Sequence, residues 1–242
     1  QIVQHPLDYY GFSLNWEGVS GPVYRWHRSP PLANYYLALL GANFGWTEWK
    51  LHAGFLLPAV LTGVGTFWLA KRLCKRPAIA MSCTLCTPAF VVTGTGLALD
   101  TWLLAFFVLA LAALLHGFAT KRLRWFFLAG ICAGLAAWTK YFGVALVPLF
   151  LAYALVAPAR PRFWWICLLI PILMIGIEQY HSYTNYGHLL FSSAAHSVTD
   201  DRIDRPWWVW LLLGLSFCGG TKFAVMQIGA ELCSGRMKLV GA

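Results

Sequence analysis

The sequence predicts an all-α protein: a polytopic bundle of transmembrane helices with an outer-face loop and an interfacial helix. Hydrophobic residues make up 59% of the chain and charged residues 11%, whereas a soluble domain carries about 25% charged residues. The mean hydropathy is +0.62. Apolar runs alternate with short charged clusters, as expected of membrane spans of roughly 20 residues. The chain has 13 tryptophans, several of them near the ends of runs, a pattern typical of interfacial aromatic belts.

The first 48 residues are predicted to form a non-cytoplasmic loop that includes one short helix. Residues 1–30 are polar and aromatic and contain several prolines and glycines, which indicates a structured loop. Pro30 and Pro31 then open an amphipathic helix at about 31–46, because proline is tolerated in a first helical turn. A helix of this length fits the membrane interface better than a crossing.

Residues 49–220 are predicted to form the transmembrane domain, with about six to seven spans. The candidate spans are 50–70, 77–95, 98–117, 125–139, 141–157, 163–179 and 207–220. After residue 220 the apolar run changes into a mixed, partly charged sequence. Residues 221–242 are therefore expected to be a divergent or truncated C-terminal tail.

The net charge of +9 is explained by topology and not by nucleic-acid binding. Nine of the 18 basic residues lie in three short loops at 71–76, 121–124 and 160–162. Positive loops are retained on the cytoplasmic side. The segment 125–157 is too long for one span, and only a hairpin of two short helices puts all three loops on that side. Lys140 then lies at a turn on the opposite, non-cytoplasmic face.

This topology gathers the chemically versatile side chains at the non-cytoplasmic face. Most of the acidic residues fall there: Asp8, Glu17, Glu48, Asp100, Asp200, Asp201 and Asp204. We therefore expect the functional site at this face, with Asp100, Lys140 and the region 25–28 lining one cavity beneath the interfacial helix. No metal-ligand spacing is present among the histidines of the predicted loop 181–206, so no metal ligand and no cofactor are assigned.

Each candidate residue has a structural and a functional interpretation. Asp100 opens an apolar helix, where it either caps the helix dipole or serves as a base or ligand in a cavity. Lys140 either extends its ammonium to the interface or binds a phosphate. The cluster of Arg25, His27 and Arg28 either anchors the interface or holds an anion beside a helix start. Glu48 and His52 are spaced so that they can pair.

Four segments resemble a known family, the GT-C membrane glycosyltransferases. Residues 29–36 (Ser-Pro-Pro-Leu-Ala-Asn-Tyr-Tyr) resemble its PPL-x-x-Y element, and residues 45–48 with 56–59 resemble the start of its next span. Asp100 stands where the family often has an aspartate at a later span start. Residues 137–141 (Ala-Trp-Thr-Lys-Tyr) resemble its L-T-K element. The nearest group includes protein O-mannosyltransferases and aminoarabinose transferases of lipid A, and the resemblance covers about residues 5–220.

The resemblance implies transfer of a sugar from a polyprenyl-phosphate donor to a lipid, glycan or protein acceptor on the outer face. The implied partners are membrane lipid and the lipid-linked donor, and nucleic acid is not among them. The implied location is the plasma membrane of a prokaryote. The implied site residues are Asp100 and Glu48 as catalytic carboxylates, and Lys140, Tyr141, Arg25, His27 and Arg28 as substrate-binding residues.

Two departures from the family pattern stand out. Family members usually carry an acidic motif, often Asp-Glu, shortly after a first transmembrane helix, and neither is found before Asp8. We expect the principal catalytic carboxylate to lie outside these 242 residues, in which case this chain alone is inactive. Family members also continue with further spans where residues 221–242 stand.

Two other classes of function compete with the enzyme. A transporter or flippase for a lipid-linked or anionic substrate is the alternative, although inverted repeats, which such proteins often contain, are not evident. A non-catalytic scaffold would not require the candidate residues to converge on one face.

Overall fold

The computed structural model describes residues 1–16, 19–25, 29–157 and 160–192. This part of the chain is almost entirely helical, so the all-α prediction is confirmed. The predicted span 207–220 and the tail 221–242 lie outside the described residues, as do His27 and Arg28.

The predicted N-terminal loop contains short regular elements. Strands β1 (Ser13–Trp16) and β2 (Val19–Pro22) pair antiparallel, and a 3₁₀ turn follows at Val23–Arg25. Helix α1 (Leu32–Phe44) has 13 residues, about 20 Å of rise, too short to cross a hydrocarbon core of about 30 Å. Its inner face packs on Phe55 and Trp102 of the following helices.

Three helices are long and apolar enough to span a membrane: α2 (Glu48–Leu73), α5 (Leu99–Thr120) and α8 (Ile166–Tyr186). The segment 77–95, expected as one span, is instead broken into α3 (Pro77–Leu85) and α4 (Pro88–Thr95), which are bent by 68°. The break falls at Thr87, because the proline that follows disfavours helical backbone at the residue before it. If α3 and α4 together count as one broken span, the described residues contain up to four candidate membrane spans.

The segment 125–157 folds as a hairpin, as the charge distribution indicates. Helix α6 (Leu123–Thr139) ends at Lys140, a 3₁₀ turn covers Tyr141–Ala145, and α7 (Leu146–Val156) follows. Leu146 and Phe150 of α7 are fully buried in the same cluster as Phe126 of α6. Tyr153 near the end of α7 packs on Phe118, which also contacts Phe126 near the start of α6, so α7 returns to the end of the bundle at which α6 begins.

Small residues let α6 pack closely against its neighbours. Its buried face is mostly alanine and glycine, and a Cβ added at Gly130 would lie 2.9 Å from Ile170 of α8. Helix α8 continues to Tyr186 and ends at Gly187, which has φ +73°. The polar loop expected from residue 181 therefore begins later, because polar side chains on one face do not end a helix.

The three basic loops lie at one end of the bundle. The Arg72 guanidinium lies 2.7 Å from Nδ1 of His116, and the rings of Trp68 and Trp125 are 5.3 Å apart. At the same end the ring of Tyr153 packs on Phe118. The N-terminal loop, α1 and the turn at 140–145 lie at the other end, which we call the polar end.

Candidate functional site

Asp100 is positioned by a tight connection between α4 and α5. The hydroxyl of Thr101 donates to the carbonyl oxygen of Thr93 at 2.7 Å, which fixes the turn that precedes α5. Asp100 lies in the first turn of α5, where the helix dipole favours a negative charge. The α4 end is held to α2 as well, since Nδ1 of His52 lies 2.7 Å from the carbonyl oxygen of Thr95.

Lys140 is positioned by the reversal between α6 and α7. Its backbone is extended, its N–H donates to the carbonyl oxygen of Ala136, and its own carbonyl accepts from the N–H of Gly143. Gly143 lies directly against the α6 backbone, since an added Cβ would be 2.3 Å from Ala137 N. No larger residue fits there without moving the turn, so the close approach fixes where Lys140 stands.

The two predicted site residues meet. Nζ of Lys140 lies 2.6 Å from Oδ1 of Asp100, with side-chain exposures of 34% and 56%. Exposed ion pairs contribute about 0.2–1 kcal/mol to stability. The pair is therefore accessible and weak enough for a competing anion to displace the carboxylate from the ammonium.

Tyr141, the next residue in the chain, reaches a second carboxylate. Its hydroxyl lies 3.1 and 3.3 Å from the two carboxylate oxygens of Glu178 on α8. Glu178 is only 5% exposed and also accepts hydrogen bonds from the Gln179 amide and the Ser182 hydroxyl. The turn after α6 is thus connected to α5 through Lys140 and to α8 through Tyr141.

Tyr9 extends this network to the N-terminal loop. Its hydroxyl lies 3.3 Å from that of Ser182. Because the single Ser182 proton points to Glu178, Tyr9 acts as the donor to Ser182. Burial raises the pKa of Tyr9 to about 12, so this proton is kept at neutral pH. The ring of Tyr9 stacks on His181 at 5.4 Å.

A groove of about 380 Å³ opens beside this network, between the N-terminal loop, the start of α1, α6 and α8. Its walls are mainly apolar and aromatic, with Trp138 and Ile177 among them, and its polar side chains include Tyr9, Tyr35, Glu178 and His181. Asp100 and Lys140 do not line this groove. We call it the Glu178 groove.

The remaining predicted residues lie apart from the ion pair. Arg25 is exposed at the end of its 3₁₀ turn and forms no hydrogen bond or ion pair with Asp100 or Lys140. Glu48 begins α2 with a side chain that is 91% exposed, and it lies 4.0 Å from His52. Within the described ranges, no group of three His, Cys, Asp or Glu side chains could hold a metal ion.

Glu178, Ser182 and Tyr9 are not among the site residues predicted from the sequence. One signal for Glu178 was available: an ionisable residue within an apolar span is a functional hypothesis by default. The serine and the tyrosine carry no such signal, because only the fold brings residue 9 to residue 182.

Several apolar helices and a polar end with an accessible ion pair define a multi-pass membrane protein with its reactive groups near the interface. The model of the dolichyl-phosphate-mannose-protein mannosyltransferase family matches residues 28–177, more than half of the chain, and the chain belongs to this family. It is thus a membrane glycosyltransferase of the GT-C type, and the resemblance seen in the sequence is confirmed. No curated protein and no solved structure matches the chain.

Proposed function

We propose that this protein transfers a sugar from a polyprenyl-phosphate donor to an acceptor at the non-cytoplasmic face of the membrane. The observation that carries the proposal is the Lys140–Asp100 pair, which lies at the polar end, opposite the three basic loops. We place the protein in the plasma membrane of a prokaryote, in keeping with its resemblance to the lipid A transferases.

Lys140 has the chemistry that the departing phosphate requires. When the bond between the sugar and the phosphate breaks, negative charge develops on the phosphate oxygen. A cation already in place stabilises that charge more in the transition state than in the bound donor, so it speeds the reaction. Lys140 is 34% exposed on its side chain, at a turn that a lipid headgroup can approach.

Asp100 holds the ammonium of Lys140 in position before the donor binds. Once the phosphate takes over Lys140, the Asp100 carboxylate is free to accept a hydrogen bond from a sugar or acceptor hydroxyl. The donor phosphate is a diester with one negative charge, like the carboxylate, whereas the prenyl phosphate that departs is a monoester with more negative charge, so Lys140 binds the phosphate more strongly as the bond to the sugar breaks. Glu48 has less support for a catalytic role, since its side chain points into solvent. Tyr141 acts through Glu178 by fixing the turn.

The proposal is tested on protein expressed from its full open reading frame and reconstituted into liposomes, with prenyl-phosphate mannose as the probe donor. An enzyme splits the donor and releases prenyl phosphate when an acceptor is present. A flippase, the competing function, moves the donor across the bilayer intact. Release of prenyl phosphate supports the proposal, and translocation of intact donor without release contradicts it.

A further inference from the structure

The Glu178 groove combines a deeply buried carboxylate with apolar walls. Glu178 is 5% exposed, yet it belongs to the lining of a groove of about 380 Å³. It lies one residue beyond the stretch 28–177 that the family match covers. A concave apolar site with a few convergent polar groups is the usual form of a small-molecule site.

The Glu178 carboxylate has capacity for one more donor. A carboxylate offers about four acceptor positions, and the described residues supply three donors: Tyr141, Gln179 and Ser182. The two hydroxyl donors are held in turn, Ser182 by Tyr9 and Tyr141 by Gln179. The network therefore orients the carboxylate and leaves it able to accept a hydrogen bond from a ligand in the groove.

The charge of the groove selects against a phosphate. None of the described residues that line it is a Lys or an Arg, and its carboxylate would repel an anion in surroundings that screen charge poorly. Lys140, the proposed phosphate-binding cation, does not line the groove and is paired with Asp100. A ligand of the groove must therefore carry no negative charge and donate a hydrogen bond to the carboxylate. The mainly apolar walls favour a neutral hydroxyl over a cation as that donor, because burying a further charge is costly, and they favour a ligand with an apolar part.

We propose that the Glu178 groove binds a neutral amphiphile through a hydroxyl group that donates to Glu178, and that this amphiphile is the sugar acceptor. Its apolar part lies between Trp138 and Ile177. Naming the ligand as the acceptor rests on the proposed function, whereas the binding itself does not. The protein then separates its two substrates by charge, with the anionic donor at Lys140 and the neutral acceptor at Glu178.

The test uses protein in lipid nanodiscs and a photoreactive probe, octyl glucoside with a diazirine in its alkyl chain. We expect crosslinks at groove residues such as Leu7, Trp138 and Ile177. Unlabelled octyl glucoside should compete with them, and the same concentration of octyl phosphate should not. Competition by octyl phosphate as strong as by octyl glucoside, or crosslinks spread evenly over the exposed helix faces, would overturn the proposal.

Two variants make the test specific. Ile177→Trp fills the groove, and Ile172→Trp makes the same change at an exposed position of α8 that does not line it. Groove crosslinking should fall at least about tenfold in Ile177→Trp and stay unchanged in Ile172→Trp. Glu178→Gln should also reduce it about tenfold, because the bond to a charged acceptor is lost. Equal crosslinking in both isoleucine variants would contradict the proposal, even if Glu178→Gln fails to fold.

Prenyl phosphate binding, measured on the same variants, separates the two proposals. If the groove does not bind the probe while prenyl phosphate still binds in a Lys140-dependent manner, only the acceptor site is wrong. If the groove binds the probe but no prenyl phosphate is split, the proposed function fails and the binding site stands.

Discussion

Nζ of Lys140 lies 2.6 Å from Oδ1 of Asp100, although the two residues are 40 positions apart in the chain. The pair joins the start of α5 to the end of α6 at the polar end of the bundle. Its partners are half-exposed, so its contribution to folding is small. Its value is that it keeps an ammonium in a fixed place where a charged headgroup can reach it.

A charge swap separates the structural role of this pair from its functional role. We predict that Asp100→Lys combined with Lys140→Asp keeps the free energy of unfolding within about 2 kcal/mol of the parent. The exposed pair is re-formed in reverse, and the loss comes from the lysine in the first turn of α5, where the helix dipole favours a negative charge. Donor binding should nevertheless be lost, because the cation now stands on α5. Unfolding in mixed micelles and prenyl phosphate binding measure the two quantities. Donor binding at the parent level in the swapped variant would refute the assignment of Lys140.

The reversal at 140–145 depends on the absence of a side chain at Gly143. We predict that Gly143→Ala destabilises the protein by about 1–3 kcal/mol, the usual cost of overpacking, because the added Cβ meets the α6 backbone at 2.3 Å. Gly176→Ala is the matched control, since nothing lies within 4 Å of a Cβ added there. Thermal unfolding in detergent compares the two. If Gly143→Ala is as stable as Gly176→Ala, the turn at 140–145 can move to make room for a side chain, and the prediction is wrong.

The sequence predicted the helices, the hairpin and the meeting of Asp100 with Lys140 at one end, because hydropathy and loop charge depend on local composition. It did not predict the break at Thr87, where one proline interrupts an apolar run of sufficient length. It also missed the contact of Tyr9 with Ser182 and the burial of Glu178. The contact of Tyr9 with Ser182 joins residues 173 positions apart, and no local pattern specifies it, whereas Glu178 could have been singled out as an ionisable residue within an apolar span.

The topology provides a prediction that is independent of catalysis. In a cysteine-free background, we expect Lys121→Cys to react with a membrane-impermeant maleimide only from the cytoplasmic side. Lys140→Cys should react from the outer side, because the hairpin of α6 and α7 returns the basic loops to one face. Labelling of position 140 only from the cytoplasmic side would contradict both the topology and the location of the site.

The hydrogen bond from Tyr141 to Glu178 should matter for stability as well as for the site. We predict that Tyr141→Phe destabilises the protein by about 1–3 kcal/mol, because it removes a donor from a buried carboxylate. Tyr153→Phe, at the basic end of the bundle, should change stability much less, since the ring packing on Phe118 is kept. Denaturation in mixed micelles distinguishes the two. If Tyr153→Phe loses as much stability as Tyr141→Phe, the loss is a general effect of removing a tyrosine hydroxyl and does not come from the bond to Glu178.

Binding of the donor phosphate by Lys140 is tested most directly by measuring sugar transfer from a prenyl-phosphate donor. The protein is expressed from its full open reading frame, as the parent and as the variants Lys140→Ala and Lys140→Arg. The control variant Lys75→Ala removes a lysine at the basic end of the bundle. Losing a hydrogen bond to a charged group costs about 1.5–3 kcal/mol, or about 10- to 150-fold in rate and donor binding. Lys140→Ala should show this loss, and Lys140→Arg should restore part of it, since it keeps the charge but changes the geometry. Lys75→Ala should match the parent. If Lys140→Ala folds normally and both its transfer rate and its donor binding equal those of the parent, Lys140 does not bind the phosphate and the account is wrong.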